Sequence, residues 1–432
     1  MIKHLQQELF STTTRELFRQ RPQDFTRIRA LTFARVALLI LRGHKLSLQN
    51  ALNKFFTALG EVFKVPSSSA YSHARLKLKP ELFAHLNSIS CSDFYQLYHS
   101  DSAVKLWHGH RLLAADGTYL NLPDTAETRA EYTLQVNQHE GGECVQALCC
   151  LLYDLRNDLG LVGVLSPRQG ESKQLLEKLW PDTKEGDVLV LDRAYADYCV
   201  FAYAIKQKRE VLVRLPRGRF KACEGFWQSE SQEEEILLQA PRSARAFVEK
   251  HELAKQIRVR LVRVELDGGE TEVLATTMID KEKYPAWEMK QVYGWRWREE
   301  TFFDRFKNIF EVERFSGTSV QAIKQDFQGT MFLATLESIL IKSAQEEMDE
   351  ESKKRERKGV AKVNRAVSYV AMVDRVVELL MWKREVEEVL EELHHLFQTN
   401  PTRIREGRRE ERPKLKYAHK LRFHKYIKKL NA

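Results

Sequence analysis

One stretch of this chain concentrates residues able to do chemistry: Tyr293-Gly294-Trp295-Arg296-Trp297-Arg298-Glu299-Glu300-Thr301-Phe302-Phe303-Asp304-Arg305-Phe306-Lys307. On an α-helix each residue advances about 100°, so Tyr293, Arg296, Glu300 and Lys307 fall within roughly 60° of one another. One helical face would carry a phenol, a carboxylate and two cations. Arg296 and Glu300 also have the spacing of a plain surface ion pair, and that competing reading stands until partner acids are found. Two candidates exist. Asp116 ends the apolar run Arg111-Leu112-Leu113-Ala114-Ala115, and Asp192 ends Asp187-Val188-Leu189-Val190-Leu191. Carboxylate oxygens are what hard divalent cations take. In phosphodiester cleavage one such ion activates the attacking oxygen while a second, about 4 Å away, stabilises the leaving one. Asp116, Asp192 and Glu300 could together hold two ions, with Arg296 and Lys307 neutralising nearby phosphates and the Tyr293 hydroxyl donating to one.

Other residues are set aside. On the same helix Glu299 would point about 100° away from Glu300, and Asp304 has Arg305 and Lys307 to pair with. Asp124, Asp154 and Asp187 sit in turn contexts where local hydrogen bonding is expected. No histidine pair has zinc-protease spacing, no Ser or Cys stands in a nucleophile elbow, and no phosphate-binding glycine loop is present.

The elements that must position the three acids can be read from pattern. Residues 111–122, 144–154 and 159–165 read as three successive strands forming an antiparallel meander. Ser172 to Trp180 reads as a helix, and 187–192 is a continuously apolar strand of the buried parallel kind. A helix over 196–208 and a strand over 211–215 follow. The order strand, strand, strand, helix, strand, helix, strand is that of a ribonuclease-H-like sheet, in which the first and fourth strands are neighbours. Asp116 and Asp192 would then face one another. Residues of about 217–280 are richer in strands and read as an insertion; the alternation of apolar residues slips phase after Leu261, as a β-bulge would allow.

The flanking regions are helical. From Phe10 to about Phe94 apolar residues recur three and four apart. A helix over 47–63, a break at Pro66 and a second helix carrying Tyr71, Ser72, His73, Arg75 and Lys77 would either place that second helix in a DNA groove or form an ordinary bundle. Beyond Tyr284 the pattern is helical to about Phe397, interrupted by a charge run over 349–358. It ends in a basic segment from Arg403 to Lys429 interleaved with Tyr417, Phe423 and Tyr426. The expected organisation is a helical N-terminal DNA-binding domain over 1–100, a catalytic α/β domain over 101–345, and a helical, basic C-terminal region over 346–432.

Charged residues make up 30% and apolar residues 43% of the 432, and no apolar run approaches the roughly 20 residues needed to span a bilayer. The N-terminal residues show no apolar core followed by a cleavage site, so a cytoplasmic, nucleoid-associated protein is expected. Six cysteines lie in apolar patterns without zinc-knuckle spacing and read as reduced core residues. The net charge of +9 favours a polyanionic partner.

The spacing Tyr293, two residues, Arg296, three residues, Glu300, six residues, Lys307 resembles the signature of the insertion-sequence-four family of DDE transposases. Ala115-Asp116-Gly117-Thr118 and Leu191-Asp192-Arg193-Ala194-Tyr195-Ala196-Asp197 resemble that family's blocks around its two aspartates. The resemblance covers about residues 65 to 430, with three blocks in the family's order. It implies a ribonuclease-H-like fold, two Mg²⁺ or Mn²⁺ ions on Asp116, Asp192 and Glu300, and DNA contacts by Tyr293, Arg296 and Lys307. It further implies cut-and-paste transposition by a homodimer that synapses double-stranded terminal inverted repeats and inserts them into target DNA. A hairpin intermediate is implied too, its flipped base gripped by an aromatic residue; Trp227 and Trp287 are candidates, against core packing as the competing role. A metal-dependent nuclease of the same fold that does not join strands, and a domesticated DNA-binding protein, are the alternative functions.

Overall fold

A computed structural model describes residues 1–404 apart from 28, 44–46, 99–102, 137–142, 169, 266–269, 355–359 and 382–383. The basic segment beyond Ile404 lies outside the described residues. The chain forms two compact units, one of Met1–His99, Tyr119–Ala147 and Asp304–Ala432, the other of Ser100–Thr118 and Leu148–Phe303.

In chain order the main strands are β1 (Leu112–Leu122), β2 (Thr133–Val136), β3 (Glu143–Asp154), β4 (Leu159–Ser166), β5 (Val188–Leu191), β6 (Glu210–Arg214), β7 (Glu233–Gln239), β8 (Gln256–Glu265) and β9 (Thr271–Thr276). In the second unit they order as β4-β3-β1-β5-β6-β9-β8-β7. The Val188-Leu189-Val190-Leu191 strand is buried at every position, which requires cover on both faces and a parallel setting between neighbours. It pairs in parallel with β1 on one side and β6 on the other. Leu155 N–H donates to Leu112 O at 2.9 Å, joining the end of β3 to the start of β1 as an antiparallel pair requires. β3 and β4 form a hairpin, whose turn is built by Asp154 accepting from the N–H groups of Arg156 and Asn157 at 2.9 Å each. This is the predicted ribonuclease-H-like order, with the first and fourth core strands adjacent.

The 217–280 insertion continues the same sheet, since β9 pairs antiparallel with β6 and is followed by β8 and β7. The predicted bulge in β8 is absent. Its register with β7 and β9 is uninterrupted, and the phase slip has another cause. Ile257, Val259 and Leu261 are buried on one face, whereas Arg260, Val262 and Val264 are buried on the other. A regular strand changes which face is covered along its length, and Arg260 is accommodated because it donates to Tyr284 O at 2.6 Å and pairs with Glu233. The helix expected over 172–180 starts at Glu171 and widens into a π turn at Leu175–Leu179.

Two further expectations are corrected. The segment 293–307 is not one helix: Ala286–Gly294 ends, Trp295 and Arg296 form a turn, and Trp297–Asn308 begins anew. Arg296 N–H bonds to Tyr293 O and Glu299 N–H to Arg296 O. These three-residue bonds advance the chain by about 120° per residue rather than 100°, so a wheel drawn from Tyr293 loses phase. Gly294 weakens the helix at the same point. Conversely, the charge run at 349–358 does not interrupt the C-terminal helix before Lys354, where Val320–Lys354 ends. Its Glu and Lys residues are good helix formers when solvated.

The first unit is helical, with β2 on the first residues of β3 and a two-stranded pair at Val360–Lys362 and Thr402–Ile404. Ser47 and Ser67 cap the Leu48–Ala58 and Ser68–Arg75 helices by accepting from Asn50 and Ala70 N–H. Of the residues expected on the second of these, Ser72, His73 and Lys77 are exposed, whereas Tyr71 and Arg75 are buried. Arg75 pairs with Asp326 at 2.8 Å and donates to Gln325 and to Ala322 O. All six cysteines are free.

Candidate active site

Four neighbouring features of the second unit assemble the acids. β1 and β5 are in register with Ala115 opposite Leu191, so Asp116 and Asp192 stand one residue beyond a matched pair. Ligand sites of open α/β sheets gather outside such carboxyl ends of parallel strands. Asp192 caps the Arg193–Tyr195 turn, its Oδ1 accepting from Ala194 N–H at 2.7 Å. Asp116 Oδ1 accepts from Gly117 N–H at 2.7 Å. Burial pushes the Asp116 carboxyl up to about 6, with the charges of Asp192 and Glu300 adding to it and the Gly117 N–H and Arg296 opposing it.

Glu300 lies in the first turn of the Trp297–Asn308 helix. That helix is fixed on the β3–β4 turn: the Phe302 and Tyr153 rings lie 4.9 Å apart, and Arg298 donates to Leu155 O at 2.9 Å. The preceding turn is held by Arg156, whose guanidinium lies 4.2 Å over the Trp295 ring. Arg296 stands between two of the acids. Its Nη2 donates to Glu300 Oε1 at 2.9 Å and its Nη1 lies 3.9 Å from Asp116 Oδ2. The Tyr293 and Trp297 rings flank the same guanidinium at 5.7 and 5.6 Å. Tyr293 is buried, which raises its phenol above the ordinary range.

Asp116, Asp192, Glu300, Arg296 and Tyr293 are thus gathered, although not by the single helical face that the spacing suggested. Among the described residues no three His, Cys, Asp or Glu side chains close on one point as a metal cage; Arg296 occupies the space between Asp116 and Glu300. Lys307 lies two turns further along its helix, where its Nζ donates to Tyr119 O at 2.9 Å. Of the aromatic candidates, Trp287 is 75% exposed and has no core role, and Trp227 is half-buried.

Two acids escaped the sequence reading. Glu299, set aside on the helical wheel, is fully buried with neither carboxyl oxygen hydrogen-bonded. Burial, with Asp116 next in effect, holds it well above the usual carboxylate range; the Asp116 backbone N–H faces it without an ordinary hydrogen-bond geometry. Glu171 is pushed up to about 7 by burial and by the charges of Asp116 and Asp192. The Glu299-Glu300 doublet was a visible signal for the first. Only its place at the start of the helix after β4 marked the second.

A family model described as the transposase DDE domain matches residues 107–336, more than half of the chain. The chain belongs to the transposase DDE domain family. Within this DDE family, it is similar to the transposase InsG for insertion sequence element IS4 of Escherichia coli, at 23% identity over 246 residues, which is 56% of this chain and 54% of that protein. The DDE chain therefore spans about half the length of that relative. Among solved structures, the piggyBac transposase synaptic complex with hairpin DNA aligns at TM-score 0.42 and 9% identity over 92% of this chain and 85% of that one. A pre-cleavage Mos1 transpososome aligns at TM-score 0.16 and 12% identity over 61% and 79%. All the gathered acids lie within the residues that the DDE model matches.

Proposed function

We propose that this chain is a DNA transposase of the insertion-sequence-four type, cleaving and rejoining phosphodiesters at transposon ends with Asp116, Asp192 and Glu300 as ligands of two Mg²⁺ or Mn²⁺ ions. The observation that carries the reading is the register of β1 and β5, which sets Asp116 and Asp192 side by side at the ends of parallel strands, with Glu300 tied to Asp116 through Arg296. The donor set fits the ions: all three ligands are carboxylates, and the site concentrates negative charge that raises Asp116. When bound, the ions would supply Lewis acidity at the phosphate and activation of the attacking oxygen.

The chain's own residues have distinct tasks. Arg296 neutralises Asp116 and Glu300 before DNA arrives and would transfer its donors to a phosphate on binding. Tyr293 packs beside the guanidinium and aims it, and Lys307 would exchange the Tyr119 carbonyl for a phosphate. In the first step water oxygen attacks phosphorus and the 3′ oxygen leaves. That 3′ hydroxyl then attacks phosphorus in the opposite strand, expelling the flanking DNA's 3′ oxygen and giving a hairpin, which water attack at the same phosphorus reopens by releasing the 3′ hydroxyl. Trp287, exposed on the Ala286–Gly294 helix, is the better placed of the two tryptophans to grip a flipped base. The partners are double-stranded terminal inverted repeats and target DNA, held by a homodimer, with the helices of residues 1–100 contributing Ser72, His73 and Lys77 to DNA. No helix among the described residues is long and apolar enough to cross a membrane.

The test is cleavage of duplexes carrying the terminal repeats that flank the gene. Wild-type protein should release 3′ hydroxyl ends only with Mg²⁺ or Mn²⁺, and Asp192→Asn should release none. Equal cleavage by Asp192→Asn, or cleavage without divalent ions, would overturn the reading.

A further inference from the structure

The first unit holds a cavity that the catalytic reading does not use. Its volume is about 650 Å³, the size of an organic ligand site rather than of a single ion. Arg15, Arg27, Arg29, Arg35 and Lys64 line it, and Glu61 is the one acid among its described lining residues. Glu61 is committed to Arg35, which donates to its two oxygens at 2.5 and 3.1 Å and to Ala30 O at 3.0 Å. The side chains of Arg15, Arg27, Arg29 and Lys64 have no acid or hydrogen-bond acceptor among the described residues. Arg15 Nε is shut off from water as well, with no partner. Like charges lining one hollow repel unless an anion joins them, and a buried donor left unpaired costs its full desolvation.

The rest of the wall suits the same kind of guest. Thr32, Phe33 and Ala34 belong to the start of the Phe33–Arg42 helix, and the first N–H groups of a helix have no carbonyl within it and favour an anion. Beside them the Phe25 and Phe33 rings meet edge to face at 5.6 Å. Phe25 is held at φ 58°, a conformation that a bulky residue rarely takes. Phe25, Arg27 and Arg29 also line a second cavity, of about 580 Å³, together with His73 and Lys77. Its acid, Asp24, accepts from Arg21 N–H at 3.0 Å.

Unpaired cations and aromatic rings in one hollow match a phosphorylated compound with a flat apolar body. We propose that the larger cavity binds a nucleotide, its phosphates held by Arg15, Arg27, Arg29 and Lys64 and its base against Phe25. A free nucleotide and a nucleotide within a DNA strand present this same chemistry. The site is independent of the metal-dependent reading and stands even where the DDE acids are inert.

The experiment is calorimetric titration of the full-length chain with ADP in EDTA, which withholds metal ions from the acids. The wild type should bind, and Arg15→Gln and Arg29→Gln should each weaken binding by at least about tenfold. Arg15→Lys keeps the charge and should recover part of the affinity. Arg29 is exposed, so Arg29→Gln tests the site even where Arg15→Gln costs folding. Arg258→Gln removes an exposed cation of β8, paired with Glu235 at 3.4 Å, and should bind as the wild type does. Displacement of ADP by a short single-stranded oligodeoxynucleotide assigns the site to a strand; retention of ADP assigns it to the free nucleotide. No ADP binding by the wild type, wild-type affinity in Arg29→Gln, or an equal loss in Arg258→Gln would overturn the proposal.

Discussion

Buried acids are handled in two opposite ways in this molecule. In the first unit Asp326 is matched by Arg75 at 2.8 Å and by Ser316, whose backbone N–H donates at 2.6 Å. Glu337, with no exposed side-chain surface, has Arg365 at 2.6 Å and the Ser368 hydroxyl. In the second unit Glu299 is fully buried and Asp116 and Glu171 are half-buried, yet the charge of Asp116 bears on the other two, and among the described residues Arg296 is the cation that offsets Asp116 and Glu299. The contrast is not a property of the unit, because Asp187 of the same unit has Arg111 at 2.6 Å. A fold able to give each buried carboxylate its own cation instead gathers several acids around the single Arg296 guanidinium at the end of β1 and β5. Buried acids in excess of their cations destabilise, so their concentration at one place identifies a site whose cost is accepted for function.

Substitutions that treat the two classes alike would break this contrast. Glu300→Gln should reduce strand cleavage by at least ~10³-fold while leaving urea unfolding unchanged. Glu337→Gln should do the reverse. Removing one member of a buried pair exposes the other's full desolvation cost, and Arg75→Ala should lower unfolding free energy by about 3–5 kcal/mol with cleavage by the folded fraction retained. Loss of stability from Glu300→Gln equal to that from Arg75→Ala would make the active-site acids structural.

The pH dependence sharpens the same point. Glu171 goes from 4.5 as a free side chain to about 7 in the fold, and Asp116 from 3.8 to about 6. Both are raised, so over these windows the folded chain binds more protons than the unfolded one, and metal-free stability falls as pH rises. The contribution is fully present below about 4 and lost above about 7. Thermal melts of metal-free protein between pH 4 and 8 should show the decline, and Glu171→Gln should flatten its upper half; a stability that rises over this range would contradict it. A smaller effect is expected of Arg296→Ala, which should lower the slope of DNA affinity against salt by about one unit for one lost phosphate contact. Glu392 marks the far end of the scale. Arg384 and Arg375 pull its carboxyl down to about 2, but the group is exposed, and Glu392→Gln should leave urea unfolding unchanged within error.

Much of this was legible in one dimension. The uninterrupted apolar run Val188 to Leu191 announced a parallel strand, and the three strands before it announced the meander, because strand period and burial are local properties of side chains. Asp116, Asp192 and Glu300 were visible as carboxylates at the ends of such elements. The pairing of Arg296 with Glu300 followed from helical spacing, which survives because Arg296 is the last residue of the turn and leads directly into the Trp297–Asn308 helix. Tyr293 was assigned to the same face for the wrong reason: it lies on the preceding helix and reaches Arg296 through the turn.

What the residues determined by themselves was the identity of the chemistry: acid types, their order along the chain, and the elements that end in them. Tertiary structure decided which acids meet. The β1–β5 register and the inward turn of Glu299 join residues far apart in sequence, and burial is a property of the packed neighbours rather than of the residue. A helical wheel assigns an angle but not what lies along it, so it dismissed the one acid on that helix which is wholly buried.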